Sequence, residues 1–164
     1  MKKVLVSLVI VVALGFSVCA DEANIQLSGN GTLEMNLNGI PGQDIVFTTT
    51  EVQLKIAPAS ITTLDLSNNG LSEVPAGIEK FTGLVSLQLN SNSLTTIPDA
   101  VCNLTSLDEL LLQNNPSLNK LPDNIGNLIS LGVLNLQNTG ISSNATEQAR
   151  IQASFAGRDI EIAF

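Results

Sequence analysis

Apolar residues return at fixed offsets between Ile61 and Ile141, in nearly four copies of one pattern. Ile61, Leu64, Leu66, Leu71, Val74, Ile78 and Phe81 form one set, with Asn69 and Pro75 at fixed places among them. Leu84, Leu87, Leu89, Asn92, Leu94, Ile97, Pro98, Val101 and Leu104 form the next. Leu107, Leu110, Leu112, Asn115, Leu118, Leu121, Pro122, Ile125 and Leu128 form a third, and Leu131, Leu134, Leu136, Thr139 and Ile141 open a fourth. The copies begin at 61, 84, 107 and 131, so the steps are 23, 23 and 24 residues. A fixed period of this size predicts a solenoid.

The pattern has a physical reading. In Leu-x-Leu the two apolar side chains share one face of an extended strand, and the residue between them takes the other. One unit cannot bury that face alone. Stacking puts each leucine against its copies above and below, with the strands paired in a parallel sheet. The asparagine falls where the chain leaves the sheet and turns inward. There its amide can satisfy backbone groups that the turn leaves unpaired. Asn69, Asn92 and Asn115 are expected to form a ladder that weakens at Thr139, which has one hydroxyl in place of an amide. Pro75, Pro98 and Pro122 are expected to start the return segments, where a lost N–H costs little. The third unit holds one extra residue at Pro116-Ser117, which predicts a small outward bulge.

Residues 61–141 resemble the leucine-rich repeat family, in the variety Leu-x-x-Leu-x-Leu-x-x-Asn-x-Leu-x-x-Ile-Pro. The resemblance implies an α/β solenoid, curved, with a concave parallel β-sheet. It covers about half of the chain and names no partner.

The flanks differ in character. Residues 21–60 lack the period and alternate in short runs: Ile25 to Leu27, Leu33 to Leu37, Ile45 to Phe47 and Val52 to Ile56. They read as a β-rich N-terminal cap over the exposed end of the solenoid, ending at the junction Pro58-Ala59-Ser60. A separate small β-domain is the alternative, with a thin core. The repeats occupy 61–143, and 144–164 read as a C-terminal cap. In it, Ala149, Ile151 or Gln152, Ala153 and Phe155 suggest a short helix capped by Asn144 or Ser143 and ended by Gly157. Asp159 to Ile162 then alternates as a last strand, with Ile160 and Ile162 continuing the leucine columns.

Residues 1–20 read as a secretory signal peptide. Lys2 and Lys3 precede an apolar run from Val4 to Val18, and Val18-Cys19-Ala20 offers a cleavage site before Asp21. The run is too short to span a bilayer, so no membrane span is expected after cleavage. Lipid attachment at Cys19 is the other reading, which Phe16-Ser17-Val18 fits poorly. The expected destination is secretion, or the periplasm or cell envelope.

Cleavage sharpens the charge. The mature chain carries five basic against fifteen acidic side chains, a net of −10. Such a surface repels nucleic acid and anionic membrane and favours basic partners or plain solubility. Cys102 alone remains, so no internal disulfide is possible. The sequons at Asn103 and Asn144 read as chance occurrences.

Chemistry is sparse. The chain has no histidine, tyrosine or tryptophan. That removes the commonest general base and metal ligand, and any triad that needs an imidazole. No phosphate loop or zinc spacing is present, and Asp21-Glu22 and Asp108-Glu109 read as solvated pairs. No catalytic, cofactor or metal residue is assigned, and the protein is expected not to be an enzyme. A carboxylate hydrolase is the remote alternative.

A surface remains. The residues beside and between the leucines are expected on the concave side: Thr63, Asp65 and Ser67; Ser86, Gln88 and Asn90; Glu109, Leu111 and Gln113; Val133, Asn135 and Gln137. They form a polar strip with one apolar spot at Leu111 and Val133, and Leu111 reads as an anchor. The expected function is recognition of a protein or peptide by a monomeric module. A structural or adhesive envelope protein, joined through its N-terminal cap or its lone thiol, is the alternative.

Overall fold

The computed structural model describes residues 61–164 and, before them, four strands: β1 (Leu8–Val11), β2 (Ser17–Ala20), β3 (Asn24–Leu27) and β4 (Leu33–Asn36). Five more follow: β5 (Ile61–Asp65), β6 (Ser86–Gln88), β7 (Glu109–Leu111), β8 (Val133–Asn135) and β9 (Glu161–Ala163). One helix, α1 (Ala145–Ser154), precedes β9. Strands β3 to β9 form one sheet in sequence order, parallel from β4 onward, with β3 antiparallel to β4. Strands β1 and β2, inside the segment read as a signal peptide, pair only with each other in a separate two-stranded sheet. The strands expected at 45–47 and 52–56 lie outside the described residues, as does the junction at 58–60.

The leucine columns follow from the register. Leu64, Leu87, Leu110, Leu134 and Ile162 are successive partners across β5 to β9. The next file repeats one hydrogen bond. Leu66 N–H donates to Gln88, Leu89 to Leu111, Leu112 to Asn135 and Leu136 to Ala163. All eight of these leucines are completely buried. Each contributes about 1.5–3 kcal/mol by leaving water, and each depends on a neighbouring unit to do so.

The sheet ends in a tight inward turn. Asn68, Ser91, Asn114 and Asn138 all adopt a left-handed conformation there, with φ between 55 and 61°. Asparagine tolerates that region better than most residues. The residue that follows each of them is buried, and at Asn92, Asn115 and Thr139 its side chain bonds to the backbone. Asn92 Nδ2 donates to the Leu66 and Leu89 carbonyls at 2.9 Å, and its Oδ1 accepts from the N–H of Asn69 and Leu71 at 3.0 Å. Asn115 repeats the arrangement with Leu89, Leu112 and Leu94. Thr139 makes one such bond, from its hydroxyl to the Leu136 carbonyl, so the ladder thins where expected. The amide of Asn69 is buried without a partner among the described residues.

An outer file accompanies the ladder. Asn138 donates to Asn114 at 3.0 Å, and Asn114 makes a long contact of 3.5 Å to Ser91. Ser91 is the one member that is not asparagine. Ser91→Asn is expected to raise stability by about 0.5 kcal/mol, through a better left-handed residue and a longer amide reach to Asn114. A shift of the urea midpoint to higher concentration, at constant slope, checks it.

The return segments are short 3-10 turns at Ile78–Lys80, Asp99–Asn103 and Ile125–Asn127. Three to five residues are too few for a stable α-helix, and the tighter 3-10 form spans the gap. Each follows its proline and buries an apolar residue, Ile78, Val101 or Ile125, with Cys102 buried beside Val101. Pro116 and Ser117, the extra-residue site, are exposed. Cys102 is fully buried, and burial with Asp99 nearby raises its thiol pKa to about 11. Burial keeps this thiol from another chain unless the return segment opens, which weighs against the alternative in which it makes the contact.

Helix α1 starts at Asn144, whose side chain accepts from Glu147 N–H at 3.2 Å. Its buried residues are Glu147 and Ile151, followed by Phe155 just past its end. Ala149 and Ala153 face solvent instead, because Glu147, Ile151 and Phe155 already hold the inward stripe at a spacing of four.

Candidate functional site

Alternation along β5 to β8 puts the residues between the leucines on the sheet face away from the core. Register sets them in rows. Thr63, Ser86, Glu109, Val133 and Glu161 are successive partners, and so are Asp65, Gln88, Leu111, Asn135 and Ala163. Asn90, Gln113 and Gln137 lie just beyond the strand ends. Eleven of the twelve predicted strip residues retain exposure.

Ser67 does not. It is 4% exposed, with its N–H and hydroxyl both donating to Asp65 Oδ1, at 2.9 and 2.6 Å. The carboxylate two residues earlier folds the chain onto itself and draws the hydroxyl in. Asn135 makes the same kind of turn, accepting from Gln137 N–H at 3.1 Å. Leu111 is also more enclosed than an anchor standing free: it is half-buried, between Gln88 and Asn135 in its row. The exposed large apolar side chains among the described residues are Val85 and Ile129, both outside the strip.

Polar contacts tie parts of the face together. Ser86 donates to Glu109 at 2.5 Å. Gln113 Oε1 is shielded from water and has no hydrogen-bond partner among the described residues. Charge is segregated. The ionisable residues of β5 to β9 are Asp65, Glu109 and Glu161, all acidic, and Asp108 just precedes β7. The four described bases lie elsewhere: Lys80 on a return turn, Lys120 paired with Asp123 at 2.8 Å, and Arg150 and Arg158 at the C-terminal end.

Those two arginines are structural. Glu147 accepts from Leu121 N–H at 3.0 Å and from Arg150 at 2.6 and 2.8 Å, while Arg150 donates to the Leu121 carbonyl. Arg158 donates to the Gly126, Leu128 and Leu131 carbonyls and lies 4.9 Å over the Phe155 ring. Side chains thus satisfy backbone groups that a further repeat would otherwise meet. Sequence reasoning missed this clamp.

Among the described residues no three His, Cys, Asp or Glu side chains gather as metal ligands, and no helix is long and apolar enough to cross a membrane.

Residues 59–116 match the family model described as leucine rich repeat. A solved leucine-rich repeat protein of Leptospira interrogans is similar at 31% identity and a TM-score of 0.59, over 64% of this chain. Residues 59–116 are thus similar to leucine-rich repeats, and the chain has the fold of a leucine-rich repeat solenoid. It spans about a quarter (26%) of the length of the Leptospira protein. No curated protein sequence matches it. Leucine-rich repeat proteins commonly bind other proteins, and the fold is generally non-enzymatic.

Proposed function

We propose that this leucine-rich repeat solenoid is a non-enzymatic module that binds another protein or a peptide on its concave sheet face, as a monomer, outside the cytoplasm. The observation that carries the reading is the row structure of that face. The residues between the leucines stand in register on every strand, half-exposed, while the leucines behind them supply the stability. A surface so arranged can change its contacts without weakening the core. Export rests on the sequence of residues 1–20, through the charged start, the apolar run and the small residues before Asp21. Burial of Cys102 weakens the competing reading of assembly through a thiol.

The test replaces Leu111, Gln88 and Asn135 together by alanine. A partner captured from the native organism by the parent chain is expected to be lost, with the thermal midpoint lower by only a few degrees. Undiminished capture by the triple variant moves the site off this face.

A further inference from the structure

We infer that Asn69-Gly70 is a modification site, at which the folded chain converts its own asparagine to aspartate and isoaspartate through a cyclic imide.

That chemistry needs three things. The asparagine amide must be free to leave, the N–H of the next residue must be free to attack, and no side chain on that residue must stand in the way. Folding usually denies at least one of them, because buried amides and N–H groups are held in hydrogen bonds.

Three copies of one turn differ in these respects. The amide of Asn92 is held by the Leu66 and Leu89 carbonyls and by the N–H groups of Asn69 and Leu71. The N–H of Ser93, which follows it, donates to the Leu71 carbonyl at 2.8 Å. Asn115 is bonded in the same way and is followed by Pro116, which has no N–H with which to attack. Asn69 meets all three conditions. Its side-chain nitrogen and oxygen have no hydrogen-bond partner among the described residues. The N–H of Gly70 makes no hydrogen bond among them either. Gly70 has no side chain and, with Asn68, leaves both neighbours of Asn69 exposed to solvent. Asn69 is the one asparagine of residues 61–164 that a glycine follows. Asn30-Gly31 and Asn38-Gly39 share the dipeptide and lie outside the described residues.

The step needs only solvent water. The Gly70 nitrogen bonds to Asn69 Cγ, the Cγ–Nδ2 bond breaks, and Nδ2 leaves as ammonia with the Gly70 proton. Water then opens the five-membered ring at either carbonyl. One opening gives aspartate; the other gives isoaspartate, with an extra methylene in the main chain. That methylene falls between the N–H groups of Asn69 and Leu71, which share Asn92 Oδ1 as their acceptor. Both bonds cannot keep their place, so the product loosens the first repeat.

The test incubates the whole protein in mildly alkaline buffer, folded and in guanidinium chloride, and maps every asparagine by proteolysis and mass spectrometry. Each event adds about 1 Da and one negative charge. Folding is expected to slow conversion at Asn69 less than about tenfold, because no bond must open first, and to stop it at Asn92. Gly70→Ala adds a methyl that meets no atom within 4 Å, though φ is positive there, and is expected to slow the reaction severalfold. The isoaspartate form, separated by its charge, is expected to unfold at a lower denaturant midpoint. Slowing of Asn69 by about tenfold or more on folding overturns the inference, as does conversion of Asn92 in step with it. An unchanged midpoint overturns the loosening of the first repeat.

Discussion

Asn92→Ala is expected to lower the unfolding free energy by about 3–4 kcal/mol. The side chain serves four buried backbone groups: two carbonyls, of Leu66 and Leu89, and two N–H groups, of Asn69 and Leu71. Each buried donor or acceptor left unpaired costs about 1–3 kcal/mol, and relaxation with entry of water recovers part of the sum. The loss exceeds that of a typical surface change several-fold. Thr139→Val is the control. Thr139 makes one bond of this kind, so its loss is expected to cost about 1 kcal/mol. Urea unfolding of both variants measures the ratio. Equal costs would mean that the inward turn does not depend on the amide.

Glu147→Gln is expected to cost about 2 kcal/mol at neutral pH. Removing one partner of a fully buried ion pair costs about 3–5 kcal/mol; Arg150 is partly exposed, which reduces the figure. The cost has a pH signature. The hydrogen bond from Arg150 holds the Glu147 carboxyl below its usual pKa, opposed by burial and aided by Leu121 N–H. A folded pKa below the unfolded one means stability that is fully present above the unfolded value, about 4.3. It is lost as pH falls through the folded value. The parent and the glutamine variant are therefore expected to differ at pH 7 and to converge as pH falls through the lowered folded value. A gap that stays constant with pH would show that the ionised carboxylate is not the stabilising species.

The solenoid was legible because its cause is periodic. Each strand needs a leucine at the same offset, so one sequence displays the constraint three times over. The thinning of the ladder at Thr139 and the start of α1 at Asn144 were legible for a related reason, since each rests on one side chain acting on nearby backbone. The clamp at Glu147, Arg150 and Arg158 was not. Its partners are backbone groups between 26 and 32 residues away, which carry no residue signature. The outer file had a readable signal in the recurrence of Asn68, Ser91, Asn114 and Asn138, each just before a ladder position. In the candidate site, alternation placed eleven residues at the surface. It failed at Ser67, where a local turn with Asp65 overrides alternation beyond the strand end. Leu111 was placed on the correct face, but half-burial depends on neighbouring strands that a single strand does not reveal.

One bond repeated four times tests the stacked columns most directly. Through-hydrogen-bond NMR couplings are expected from Leu66 N–H to the Gln88 carbonyl, Leu89 to Leu111, Leu112 to Asn135 and Leu136 to Ala163. Observation of all four, in that register, is the predicted result. A coupling displaced by one residue at any step would turn the leucines outward there and contradict the account.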